Sequence, residues 1–158
     1  MEMRPYRAFG LVFIVNTRQA GERYRVVIKN PDCTIFCAEG FETCVNRDTG
    51  EAMPDYEAGW FHSPEQNYVK GDFDLTVLQP SLVYCYDPKL NNGKQQKFRP
   101  LDIDSGTQTL LLKGTRLLLC SGEMEIDGRK FTAPTRISVE SGDKLATSTT
   151  RSLGLVLL

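Results

Sequence analysis

The sequence has a single histidine, His62, and a single tryptophan, Trp60, in 158 residues. One imidazole cannot build the multi-histidine sites that usually hold zinc, iron or nickel. Long hydrophobic runs are also missing. The apolar run from Ala8 to Val15 falls well short of the roughly twenty residues a membrane helix needs. Its mixed-charge start, "MEMRPYRAFGLVFIVN", has no small-residue cleavage site and reads as a first β-strand. A cytoplasmic or otherwise intracellular protein is therefore expected, with no signal peptide and no membrane contact. Internal repeats, low-complexity tracts and amphipathic helices of three turns are lacking too. So are a P-loop, a Rossmann glycine pattern, a G-x-S-x-G elbow and recognisably spaced catalytic carboxylates.

A strong excess of charge is lacking as well. The net charge is −1, which gives no reason to expect nucleic acid as a partner. The distribution is uneven, however. Residues 1–80 carry eight Lys/Arg against twelve Asp/Glu, and residues 81–158 carry eleven against eight. Nine of the acids lie between Glu39 and Asp74, opposed there by Arg47 and Lys70. A basic cluster, Lys89, Lys94, Lys97 and Arg99, follows. Either both are solvated faces, or the acidic segment meets the basic one within or between subunits.

What is present is a series of short runs rich in Val, Ile, Leu, Phe and Tyr. Examples are "YRVVIK", "CTIFC", "DLTVLQ", "SLVYCY", "RLLLC", "EMEID", "RISVE", "KLATST" and "LGLVLL". Turn residues separate them at Ala20-Gly21, Asn30-Pro31, Asp48-Thr49-Gly50, Asn91-Asn92-Gly93, Asp127-Gly128 and Ser141-Gly142-Asp143. Asn or Asp beside Gly suits hairpin turns that need positive φ. The pattern predicts one all-β domain over residues 1–158, an antiparallel β-sandwich or jelly-roll barrel. Residues 1–70 would supply N-terminal strands and a long acidic loop, and 71–158 the barrel portion. Two stretches interrupt the strands: a loop from Glu39 to Asp72 and a polar projecting hairpin from Asp87 to Pro100. The apolar ending predicts a paired last strand.

From about Gly71 to Leu158 the chain resembles the cupin family. The resemblance rests on "LLLCSGEMEIDGRKFTAP" and "RISVESGDKLATSTT", which follow that family's strand–turn–strand pattern. It implies a cupin-like barrel. With Gly122 as the closing glycine of the family's first metal motif, its glutamate position falls on Thr115. The histidine positions fall on Thr109 and Leu111, or on Gln108 and Leu110. In the second motif, with Gly142 as the turn glycine, the histidine position is Leu145. None of these side chains is a good metal ligand, so the expectation is a cupin-like fold without metal or cofactor, its leucines packing inward.

The remaining candidates are contact residues. Trp60 and Phe61, with Tyr56, His62 and Tyr68 around them, either anchor an interface or tuck beneath the loop as a satellite core. His62 has a pKa suited to general-base chemistry but no nucleophile signature beside it, so no catalytic residue is assigned. Tyr84 and Tyr86 share one face of a strand and are pocket candidates. The five cysteines read as reduced core residues, since C-x3-C at Cys33 and Cys37 is neither a zinc nor a redox signature.

The sequence alone thus favours a non-enzymatic structural or assembly protein, with Tyr56, Trp60, Phe61, His62, Lys89, Lys94, Lys97 and Arg99 contacting protein partners in a homo-oligomer or larger assembly. Barrels of this kind with long loops resemble bacteriophage virion components, and that resemblance implies a place in the virion if the protein is phage-encoded. The alternatives are a small-ligand binder and a metal-independent cupin enzyme of isomerase or epimerase type.

Overall fold

The computed structural model describes residues 2–28, 32–66 and 71–158. The expected turn at Asn30-Pro31, together with Tyr68 and Lys70, lies outside the described residues. The chain folds as two compact units, Met1–Arg7 with Leu11–Gln95 and Ala8–Gly10 with Gln96–Leu158.

The first unit is organised around one sheet. Its strands are β1 (Glu2–Ala8), β2 (Leu11–Arg18), β3 (Arg23–Ile28), β4 (Thr34–Asn46), β5 (Ala52–Glu57), β6 (Phe61–His62) and β7 (Gly71–Tyr86). The order is β1-β2-β7-β4-β5, with β3 also on β7 and β6 also on β4. β7 is long enough to take β3 beside its first half, β2 beside its second half, and β4 along its other edge.

The stretch from Glu39 to Asp72 is not a loop. It holds the second half of β4, all of β5 and β6, and the start of β7. The reason it escapes a period-two reading is physical. The β4–β7 ladder shifts register three times between Cys37 and Glu42, and such bulges move side chains from one face to the other. Cys37 and Cys44, seven positions apart, therefore share one core. Gly40 sits in the bulge at φ +91°, where a Cβ would lie 2.3 Å from the Pro80 carbonyl oxygen. β7 runs through Pro80, joining the runs "DLTVLQ" and "SLVYCY" into one strand beside the bulged part of β4.

A buried polar cluster ties this sheet together. Glu42 has no solvent exposure. Its carboxylate accepts from Arg18 Nη1 at 3.1 Å, from Ser81 Oγ at 2.6 Å and from the Tyr24 hydroxyl. The Arg18 guanidinium also lies 3.9 Å from the centre of the Tyr24 ring. Further out, Arg25 binds Asp72 with Nε 2.7 Å from Oδ1, and Arg47 Nη1 lies 3.7 Å from Asp74 Oδ1. These acids are met by arginines of the same unit.

The stretch from Asp87 to Pro100 is not a projecting hairpin either. Its first part is a 3-10 turn at Pro88–Asn91, capped by Asp87. The Asn91 side chain accepts from Val12 N at 2.8 Å and donates to Val12 O at 3.0 Å, continuing the β2 backbone pairing like an added rung.

The second unit contains β8 (Phe98–Ile103), β9 (Gln108–Leu111), β10 (Arg116–Ser121), β11 (Glu123–Ile126), β12 (Arg129–Thr132), β13 (Thr135–Ser138), β14 (Lys144–Ser148) and β15 (Ser152–Leu157). They form two four-stranded antiparallel sheets, β13-β10-β15-β8 and β12-β11-β14-β9. Asp127 and Gly128, at φ 50° and 76°, make the tight β11–β12 hairpin that their side chains favour. The last strand is paired on both edges, to β10 and β8. Leu111, Leu117, Leu119, Met124, Ile137 and Val156 belong to a continuous aliphatic core drawn from both sheets.

The inward-facing leucines need one correction. Leu111 does point into the core, but Leu110 and Leu145 pair across β9–β14 and are 58 % and 52 % exposed. The inward neighbour of Leu145 is Ala146, because successive strand residues face opposite sides.

Candidate functional site

The aromatic segment after β5 is held by backbone bonds. Gly59 N donates to Cys37 O at 2.8 Å, and Cys37 N donates to Trp60 O at 2.9 Å. β6 then pairs Phe61 with Phe36 and His62 with Ile35. This anchoring sets three rings in a row. Tyr56 stacks on Trp60 with centroids 4.2 Å apart and planes at 15°, and Trp60 stacks on His62 at 5.8 Å and 11°.

Beside the stack lies a cavity of about 320 Å³, within the size range of small-molecule sites. Four of the expected contact residues, Tyr56, Trp60, Phe61 and His62, line it. Ile28 of β3, Cys44 of β4, Met53 of β5 and Phe73 of β7 complete an apolar wall. The lining side chains that carry nitrogen or oxygen are those of Tyr56, Trp60, His62 and Gln66. Gln66 is positioned by a small turn in which Ser63 N donates to its Oε1 at 3.2 Å.

The lining is electrically quiet. Burial holds the His62 imidazole below its ordinary value, so the ring is neutral at pH 7. Burial, with Asp55 adding to it, pushes the Cys44 thiol up to about 11 and keeps it protonated. A neutral imidazole, a thiol and a carboxamide can orient a ligand through hydrogen bonds.

The other sequence candidates lie elsewhere. Tyr84 and Tyr86 are each 1 % exposed and line no part of the cavity. Tyr86 packs on Phe13 and donates from its hydroxyl to Lys94 O at 2.7 Å. Lys89 and Lys94 are exposed on the first unit, and Lys97 and Arg99 are exposed on the second. Sequence reasoning missed Ile28, Cys44, Met53, Gln66 and Phe73. They come from four strands and a turn, and the bulged alternation of β4 hides the shared face.

No protein-family model matches the sequence, and no curated protein matches it. Solved structures do resemble it. HutD from Pseudomonas fluorescens SBW25 superposes with a TM-score of 0.57 at 14 % identity, over 94 % of this chain and 78 % of that one. Bacterial pirin YhhW from Escherichia coli, in complex with nickel(II), gives 0.50 at 12 %, over 93 % and 81 %. A cupin 2 conserved barrel domain protein from Leptotrichia buccalis gives 0.45 at 8 %, over 99 % and 89 %. The fold is all-β and cupin-like.

Metal ions are associated with cupin-like barrels, so the donor set matters. Among the described residues, no three His, Cys, Asp or Glu side chains come together. At the positions where the family motif would place ligands, Leu111 is part of the aliphatic core and Leu145 is exposed. Thr109 and Thr115 are half-buried hydroxyl residues, poor ligands for a transition metal. The residues present do not fit a metal at that site. No described helix is long and apolar enough to cross a membrane.

Proposed function

We propose that this protein binds a small, flat, largely apolar molecule in the cavity beside Trp60, without catalysing a reaction on it. The observation that carries this reading is the Tyr56–Trp60–His62 stack lining an apolar cavity of about 320 Å³. Aromatic faces favour planar ligands through offset stacking, and the polar groups of the lining side chains favour a ligand with a hydrogen-bonding edge. The expectation of an assembly protein passes to this reading only in its non-enzymatic part. A virion role has no support among the structural likenesses.

Trp60 is the sole tryptophan, so its emission reports on the cavity directly. Titration with indole, 1-naphthol and a neutral sugar is expected to give saturable quenching with the aromatic compounds and none with the sugar. Met53→Trp, which fills the cavity, is expected to abolish a calorimetric binding signal while circular dichroism stays unchanged. Aromatic binding that persists in a folded Met53→Trp protein would move the site elsewhere.

A further inference from the structure

A sheet edge leaves backbone N–H and C=O groups unpaired, and folded proteins normally blunt such edges with proline or charge. Apart from the short β6, the described edge strands of this chain follow that rule with one exception. β1 carries Arg4, Pro5 and Arg7, β3 carries Arg23 and Arg25, and β5 carries Pro54 and Asp55. β8 carries Arg99, Pro100 and Asp102, β12 carries Arg129 and Lys130, and β13 carries Arg136. β9, which ends the sheet β12-β11-β14-β9, is Gln108-Thr109-Leu110-Leu111 and has neither.

The ladder shows which backbone groups of β9 are open. Ser148 N donates to Thr107 O at 2.9 Å, so Ser148 and, by alternation, Ala146 and Lys144 turn their backbone groups toward β9. Thr149 N, one residue on, donates the other way, to Glu123 O of β11 at 3.0 Å. The partners of Ala146 and Lys144 are Thr109 and Leu111. The N–H and C=O of Gln108 and Leu110 therefore point away from β14, along the free edge. Gln108 is exposed, and Leu110 and Leu112 are 58 % and 57 % exposed.

We propose that β9 is a pairing edge for a second copy of this chain, the β9 strands running antiparallel about a two-fold axis at Thr109. Gln108 of each copy then pairs with the partner's Leu110, with a reciprocal pair of backbone hydrogen bonds at each such rung. The Leu110 side chains become diagonal neighbours across the seam and leave water. Charge selects the occupant. Exposed Asp104 precedes β9 and exposed Lys113 follows it. Antiparallel pairing of identical strands sets each Lys113 toward the partner's Asp104, so the edge complements itself, as a two-fold contact requires. Asp143 and Lys144 lie at the Lys113 end too, but Asp143 accepts from Lys113 N at 2.8 Å and Lys144 Nζ lies 2.8 Å from Asp127 Oδ2. The outer face of the sheet stays open, so Leu145 remains exposed in the paired state. This contact uses none of the residues that the sequence assigns to partners.

The test is sedimentation velocity of the full chain over a concentration series reaching the millimolar range. The expected result is a reversible shift from monomer to dimer and to nothing larger, because a two-fold contact closes. Leu110→Pro removes an N–H that β14 does not use, a substitution that edge strands tolerate. It is expected to keep the wild-type circular dichroism and to stay monomeric throughout. Lys113→Glu and Asp104→Lys are each expected to weaken the dimer, and the double variant to restore it. That exchange decides the case if Leu110→Pro does not fold. A wild-type chain that is monomeric at every concentration would overturn the proposal and leave the edge to a strand of another protein. So would a dimer that persists in folded Leu110→Pro, assemblies growing beyond the dimer, or a double charge variant no better than either single one.

Discussion

Ser81 Oγ donates a 2.6 Å hydrogen bond to the Glu42 carboxylate, joining β7 to β4 through a side chain that water does not reach. Arg18 at the end of β2 and Tyr24 in β3 bond the same carboxylate. One acid therefore links the four strands that carry the first unit's sheet. A buried charge is tolerated only when its oxygens are paired, and Glu42 has a partner for each.

Removing that acid should be costly. Glu42→Ala strands the buried Arg18 guanidinium and is expected to lower stability by about 3–5 kcal/mol in urea unfolding. Tyr24→Phe removes one hydrogen bond to a charged group and should cost about 1.5–3 kcal/mol. A Glu42→Ala protein as stable as wild type would mean that Arg18 escapes to solvent.

The bulge at Gly40 makes a second expectation. Gly40→Ala combines a positive φ with a Cβ placed 2.3 Å from the Pro80 oxygen, so strain and overpacking add to about 2–5 kcal/mol. Gly50 also has positive φ, but a Cβ there meets nothing within 4 Å. Gly50→Ala should cost only about 1–2 kcal/mol. Equal melting temperatures for the two variants would contradict the close approach of β4 and β7.

His62 gives a pH signature. Burial lowers its folded pKa below the ordinary 6.5, so the unfolded chain binds the proton more readily. The stability contributed by the neutral buried ring is complete above about pH 6.5 and declines as pH falls below it. The urea midpoint should therefore drop between about pH 7.5 and pH 5.5, and less so in His62→Phe. Parallel pH profiles for the two proteins would show that His62 titrates as freely as in the unfolded chain.

The two faces of the second unit can be told apart by substitution. Leu145→Gln, on the exposed side of β14, is expected to change stability by no more than about 0.5 kcal/mol. Leu117→Ala, inside the aliphatic core, should cost about 2–5 kcal/mol. A large loss at Leu145 would point to a cover over the β9–β14 face, and analytical ultracentrifugation of the same variant would show whether that cover is another copy.

Much of the second unit is legible in the chain itself. Asp127-Gly128 encodes its hairpin chemically, because aspartate tolerates positive φ and glycine has no Cβ to clash. "RLLLC" and "LGLVLL" are apolar on both faces, as expected of central strands, and they become β10 and β15 side by side. Leu110 and Leu145 show the limit of such reading. Both are leucines in strands, and only the pleat decides that they face outward.

The first unit is less legible, and Glu42 is the reason in miniature. Its charge and its neighbours Glu39, Thr43 and Asn46 look like a solvated loop, yet Arg18, Tyr24 and Ser81 converge on it from distant positions. The aromatic run Trp60-Phe61-His62 announces a contact site without saying whether its partner is protein or small molecule. By itself the sequence determined the all-β class, the tight turns of the second unit and the lack of metal ligands at its motif positions, because these depend on local backbone preference and side-chain type. Tertiary structure alone decided the bulges that turn Cys44 toward the cavity and the burial of Glu42 among Arg18, Tyr24 and Ser81. Each of those depends on register between strands far apart in the chain, and a shift of one residue would send every side chain involved to the opposite face.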